Sequence, residues 1–281
     1  MIMKTSDYFK DKISIVTGGG SGIGLALCEK LAEYGSTVVV SDINKSNAEK
    51  AALKINNAGG RAVHFTTDVS RLEDVERLIT NTYEKYGNLH LMFNNAGIGI
   101  TGEVRDISIE MWERIVKTNL LGVIYGTTTA YRIMIQQGYG HIINIASLQG
   151  LLPLSISVPY TATKYGVVGL STALRPEAAA LGIRVSVVCP AFIETKILDI
   201  QPCLCAKRED VFSRAPKNKM SAEKCAGIIL SRVAKNRGII TVPLYAGILW
   251  RLYRFLPAAV DIYNKNFVNF FHRIREDNRE R

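Results

Sequence analysis

Ile13-Ser14-Ile15-Val16-Thr17-Gly18-Gly19-Gly20-Ser21-Gly22-Ile23-Gly24 decides how the rest of the chain is read. A short β-branched run stops at a glycine-rich turn. Residues 22–34 then carry Ile23, Leu27 and Leu31 at helical spacing. A second β-branched run, 37–40, ends at Asp42. Strand, glycine loop, helix, strand and acid, in that order, describe a βαβ unit that binds a dinucleotide. Glycine lets backbone approach a pyrophosphate, and a helix start offers N–H groups and the positive end of its dipole. Gly18, Ser21, Gly22, Ile23 and Gly24 are therefore candidate cofactor contacts. Asp42 lies eighteen residues beyond Gly24, where a carboxylate accepts hydrogen bonds from ribose hydroxyls and repels a 2′-phosphate. NAD is expected, and Lys45, three residues on, leaves NADP as the alternative. A glycine turn alone would mean an ordinary tight turn; its setting carries the reading.

Outward from this unit the alternation continues. Residues 44–58 read as a helix ended by Gly59-Gly60, and 62–66 as a strand leading to Asp68-Val69. Residues 71–86 are a helix stopped by Gly87, and 89–93 a fourth strand followed by Asn94-Asn95-Ala96-Gly97. A long helical region, 109–137, contains Asn119. A fifth strand, 140–145, leads to Ser147, and the helix 157–181 bears Tyr160 and Lys164. A sixth strand, 184–188, runs into Cys189-Pro190, and 239–242 reads as a seventh. The pattern predicts an α/β fold: a Rossmann-like, doubly wound parallel sheet with helices on both faces. No internal repeat or low-complexity linker divides it. Residues 1–243 are expected to form one dinucleotide-binding catalytic domain, followed by a helical tail, 244–281.

Tyr160 and Lys164 stand four apart and share a face if helical. An ammonium beside a phenol favours the phenolate, lowering a pKa of about 10 so that the group can exchange a proton with an alcohol or ketone near neutral pH. Ser147, thirteen residues before Tyr160, can orient a substrate oxygen and hydrogen-bond a developing alkoxide. Alone, each of these is ordinary: a surface pair, a turn serine, a polar helix residue at Asn119.

Together they resemble the short-chain dehydrogenase/reductase family. Thr17-Gly18-x-x-x-Gly22-x-Gly24, Asp68, Asn94-Asn95-Ala96-Gly97, Ser147 and Tyr160-x-x-x-Lys164 match its motifs in order, over roughly residues 12–242. The resemblance implies an NAD(P)-dependent alcohol dehydrogenase or ketoreductase. In it, Tyr160 is the acid/base, Lys164 lowers its pKa and bonds the nicotinamide ribose, Ser147 holds the substrate oxygen, and Asn119 anchors a relay water. Asp68 and Val69 would sit near the adenine, and Asn95, Ala96 and Gly97 would line the cleft. Pro190, Ile193 and Thr195 would lie along the carboxamide. That segment, Pro190-Ala191-Phe192-Ile193-Glu194-Thr195, departs from the family by an alanine for glycine, so the turn at 191 must tolerate a Cβ. The family also implies a homo-oligomer. A non-catalytic dinucleotide sensor or scaffold is the competing reading, and a chain of that kind could lose Tyr160 or Lys164 without losing the fold.

With 47% apolar and 21% charged residues the chain is globular, not disordered. Its net charge of +10 suits an anionic cofactor or surface; nucleic acid is not expected, because no binding motif accompanies the charge. Five cysteines without framework spacing argue against a disulfide scaffold, and no metal site is expected. No signal peptide shows, so the location expected is cytoplasmic, or peripheral on a membrane. Residues 198–218 are expected to form a substrate lid through Leu198, Ile200, Pro202, Leu204, Val211 and Phe212. With Leu148, Leu151, Leu152, Leu154 and Val158, they suggest a hydrophobic secondary alcohol or ketone: steroid, retinoid or acyl-like. Packing of lid on core would use the same leucines.

The tail reads as two amphipathic helices around Pro257. Tyr245, Ile248, Leu249, Leu252 and Leu256 mark the first; Val260, Tyr263, Phe267, Phe270, Phe271 and Ile274 mark the second. Seven basic residues (Arg251, Arg254, Lys265, Arg273, Arg275, Arg279, Arg281) against Asp261, Glu276, Asp277 and Glu280 give +3. The tail suits an interfacial membrane helix, or a helix docked on its own or a second subunit.

Overall fold

The computed structural model describes residues 4–195, 197–216 and 218–276, apart from the side chain of Leu198. Leu198 as a lid residue, and Asp277, Arg279, Glu280 and Arg281 in the tail, therefore lie outside the described residues. The chain runs α1 (Thr5–Phe9), β1 (Ile13–Thr17), α2 (Gly22–Glu33), β2 (Thr37–Asp42), α3 (Lys45–Asn57), β3 (Arg61–Thr66), α4 (Leu72–Tyr86) and β4 (Leu91–Asn94). Next come α5 (Ile109–Val116), a π-turn (Lys117–Leu121), α6 (Gly122–Gln137), β5 (Gly140–Ile145), α7 (Val158–Ala179), β6 (Ile183–Pro190) and β7 (Ile193–Glu194). Two one-turn helices, α8 (Ile197–Ile200) and α9 (Arg208–Val211), precede β8 (Met220–Ser221), α10 (Ala222–Ala234) and β9 (Ile239–Val242). The tail is α11 (Leu244–Phe255) and α12 (Pro257–Ile274).

Seven strands form one parallel sheet in the order β3-β2-β1-β4-β5-β6-β9. The period-2 alternation of side chains explains how both faces become buried. On β1, Val16 packs with Leu27, Leu31, Ala51, Ile55, Cys225 and Ile229 on one face. Ile15 packs with Leu78, Ile79, Ala130 and Met134 on the other. Helices α2, α3 and α10 thus cover one side, and α4 and α6 the other, as the doubly wound pattern predicts. Chain direction across the sheet reverses between β1 and β4, so their carboxyl ends open the crevice where such sheets bind ligands.

Two differences from the sequence expectation have local causes. The expected helix 109–137 is interrupted by the π-turn, which places Asn119 in the irregular stretch. Helix α10 is not among the elements expected from sequence, although Ser221 caps it by accepting from the Lys224 N–H and Ala222, Cys225, Ala226, Ile229, Leu230 and Val233 fall on its buried face.

Candidate active site

The glycine loop is fastened to its neighbours through backbone and side-chain polar groups. Thr17 Oγ1 accepts from the Asn95 and Ala96 N–H groups at 3.0 and 3.1 Å. Asn95 Nδ2 donates back to the Thr17 and Gly18 carbonyls at 2.9 and 3.2 Å. At Gly24 a Cβ would stand 2.0 Å from the Gly18 carbonyl oxygen, so no other residue can open α2 here. Asp42, at the end of β2, accepts from the Gly20 N–H at 3.0 Å and the Asn44 N–H at 2.9 Å. Lys45 turns away from it, toward Glu49 at 3.7 Å. Asp68 Oδ1 accepts from the Ser70 N–H and hydroxyl, while Val69 packs against Gly122. Thr195 stands across the cleft, so that a Cβ on Gly22 would meet its Cγ2 at 3.3 Å. Ile193 is buried in the core and pairs with Met220, and Pro190 ends β6.

The second cluster sits at the ends of β4 and β5. Asn119 is fully buried; its Oδ1 accepts from the Ile98 N–H and its Nδ2 donates to the Ile98 carbonyl, both at 2.8 Å. Ser147 caps a 3-10 turn (Leu148–Gly150) by accepting from the Gln149 N–H, its hydroxyl donates to the Pro190 carbonyl at 3.5 Å, and its side chain lies near the Tyr160 phenol. Lys164 is buried and donates to the Ile145 carbonyl at 3.0 Å. Its Nζ lies 5.5 Å from the centroid of the Tyr160 ring. A Cβ on Gly97 would fall 3.3 Å from Asn119 Oδ1 and 3.5 Å from Lys164 Nζ, so the glycine keeps the space above both groups clear. Glycine loop, acid and cleared cradle fit a dinucleotide.

The electrostatics correct one expectation. Burial pushes the Tyr160 phenol above its ordinary value; Ser147 opposes this without reversing it. Lys164, whose Nζ lies 5.5 Å from the ring centroid, donates to the Ile145 carbonyl and does not reverse that rise. Its own pKa falls to about 8 through burial. Cys189, beneath both, is pushed up to about 12 by burial and stays a thiol.

Ala191 resolves the departure noted in the sequence. Its φ is not in the left-handed region, its N–H donates to the Val242 carbonyl at 2.7 Å, and its side chain packs with Leu148, Leu152 and Ala246. A network that sequence reading passes over supports the site from below. Asn94 Nδ2 donates to Asn144 Oδ1 at 2.8 Å and to the Thr127 hydroxyl, and Asn144 Nδ2 donates to the Ser171 hydroxyl at 3.0 Å. These buried groups tie α6 and α7 to β4 and β5. Their only sequence signal is a polar residue at an expected core position of each element.

The tail packs over the loops that follow β4 and Ser147. Phe271 of α12 is fully buried against Ile156 and Val211. Asn264 accepts from the Ser155 N–H and donates to the Pro153 carbonyl. Arg275 makes a two-pronged contact with Asp106 at 2.6 and 2.8 Å and reaches Glu103 at 2.6 Å, while His272 lies 2.9 Å from Glu103. One helix thus binds the loops after β4 and after Ser147 and the segment around α9. Of the two readings of the tail, docking on its own subunit holds for α12. The expected apolar face of α11 is instead exposed at Ile248, Leu249 and Leu252.

Comparisons with known proteins agree with this geometry. A family model described as short chain dehydrogenase matches residues 12–201. A cyclohexanol dehydrogenase from Acinetobacter sp. (strain SE19) is 38% identical over 194 residues, 69% of this chain and 77% of the relative. Probable oxidoreductase EphD from Mycobacterium bovis is 30% identical over 263 residues, which is 90% of this chain but 44% of that protein. The crystal structure of a short chain dehydrogenase/reductase from Burkholderia phymatum, in complex with NAD, superposes with a TM-score of 0.82 at 29% identity, covering 90% of this chain and 96% of the other.

Proposed function

This chain belongs to the short-chain dehydrogenase family, and from that premise we propose that it transfers a hydride between NAD and a hydrophobic secondary alcohol or ketone. The observation that carries the reading is the Tyr160 phenol, set with Ser147 near the cleared space above Lys164 and Asn119. Gly18, Ser21, Gly22, Ile23, Gly24, Asp42, Asp68, Val69, Asn95, Ala96 and Gly97 would hold the dinucleotide, which would supply the hydride donor or acceptor.

Every other task falls to the chain. Tyr160 exchanges the proton with the substrate oxygen. A phenol is protonated near neutral pH, the form that donates to a ketone, and burial favours that form further. Ser147 orients that oxygen and hydrogen-bonds the alkoxide as it develops. Lys164 keeps positive charge near the ring, and Asn119 fixes the Ile98 backbone that borders the cleft. NAD is preferred over NADP because Asp42 faces the loop while Lys45 leans on Glu49.

Apolar surroundings support the substrate class. Tyr160 packs in a cluster with Ile98, Ile100, Ile107, Met111, Trp112 and Leu204. Cyclohexanol, named for one relative, is a secondary alcohol on an apolar ring. Steroid, retinoid and acyl-like alcohols share that chemistry, and family analogy adds a homo-oligomer. Tyr160→Phe should cut turnover at least about a thousandfold and leave NAD binding nearly unchanged, since the phenol acts on the proton and not on the cofactor's anchors. The check is steady-state kinetics with fluorescence titration of the dinucleotide. Turnover like that of the unaltered protein would refute the mechanism.

A further inference from the structure

The outer face of α11 carries Leu244, Ile248, Leu252 and Phe255, with exposures of 70%, 51%, 51% and 82%. Spacings of four, four and three residues put them on one stripe. Leu256, Ile262 and Tyr263, on either side of Pro257, are exposed as well. Apolar side chains scattered singly over a surface need no explanation, but a continuous ridge does. It is not unfinished core: the opposite face of α11 is anchored, with Ala246 buried against Leu148 and Leu152.

Charge decides what covers the ridge. Helix α11 holds Arg251 and Arg254 and no acidic residue. Among the described residues, Arg251 reaches the Gly247 carbonyl at 3.4 Å, and Arg254 lies over the Trp250 ring at 5.9 Å. Two copies meeting ridge to ridge about a twofold axis would bring these arginines together without a carboxylate on either α11. Anionic headgroups would meet them, with the apolar stripe entering the acyl boundary. Among the described residues no helix is long and apolar enough to cross a membrane, so the geometry is one of lying on the surface.

We propose that the ridge of α11, together with Leu256, Ile262 and Tyr263, docks on an anionic phospholipid bilayer. Because Leu148 and Leu152 follow Ser147, docking sets the wall of the substrate pocket toward the phase where a lipophilic alcohol dissolves. That consequence rests on the function proposed above, whereas docking itself does not.

The test is flotation of the full-length protein with vesicles of phosphatidylcholine, with and without phosphatidylserine. Co-flotation with the anionic vesicles, weakened by added salt, is the expected result. Leu252→Ser combined with Phe255→Ser should weaken partitioning at least about tenfold while keeping the melting temperature, since both side chains are exposed. Arg251→Glu with Arg254→Glu should remove the preference for phosphatidylserine. Absence of flotation with either vesicle overturns the proposal, as does a serine variant that floats like the unaltered protein. If light scattering shows the serine variant falling from oligomer to monomer with vesicle binding intact, the ridge is a subunit contact and the proposal fails. Flotation is read without turnover, so a failure of the dehydrogenase reading would leave its result standing.

Discussion

On the cofactor side of the cleft, Gly20, Asn44, Asn95 and Ala96 all donate backbone N–H groups to side chains at the ends of β1 and β2. On the substrate side, the loops are held instead by a helix more than a hundred residues away in sequence, α12, through Phe271, His272 and Arg275. The backbones differ as well. The positive φ angles of the glycine loop fall on Gly18 and Gly22, where they cost little. At the substrate mouth, Ile156 at φ 62° and Cys205 at φ 56° hold the same region with side chains attached. A β-branched residue there costs on the order of 1–2 kcal/mol. Its surroundings offset that: the Ile156 carbonyl accepts from Gly102, and Phe271 packs on its side chain, while the Cys205 carbonyl accepts from Glu276. The cofactor side is held by the strand ends of the sheet itself; the other side depends on the tail for its shape.

Breaking each side should therefore have different consequences. The largest effect is expected from Gly24→Ala, which drives a methyl into the Gly18 carbonyl. It should cost roughly 3 kcal/mol of stability and abolish dinucleotide binding, read by thermal denaturation with and without NAD. Binding and melting like the unaltered protein would show that the loop is not preassembled.

Arg275→Ala comes next. It leaves Asp106 and Glu103, both mostly buried, without their shared guanidinium. A loss of roughly 2 kcal/mol is expected, with a severalfold rise in KM for the alcohol and no change in KM for NAD. Arg275→Lys should recover only part, since an ammonium cannot make the two-pronged contact with Asp106. Equal changes in both KM values would erase the division between the two sides.

The smallest effect sharpens the cofactor side alone. Asp42→Ala should narrow the preference for NAD over NADP by about tenfold, because it removes phosphate repulsion together with the ribose acceptor. NAD affinity should fall as well, because the Gly20 and Asn44 N–H groups lose their acceptor. The measurement is the ratio of kcat/KM for the two cofactors.

From the sequence by itself came the order of the seven strands, most of the helices between them, and the glycine loop with Asp42, because periodicity, capping and glycine spacing act over a few residues. The set Asn119, Ser147, Tyr160 and Lys164 was legible only through its resemblance to a family pattern, since each residue alone is ordinary. Tertiary structure alone decided the rest. The direction of the Tyr160 shift follows from burial, which a spacing of four does not set. The two tail helices carry similar apolar periodicity, yet Phe271 is buried and Phe255 is not. Periodicity shows that a helix has an apolar face; what that face meets depends on which distant loops lie opposite it, here Ile156 and Val211 for α12 and solvent for α11.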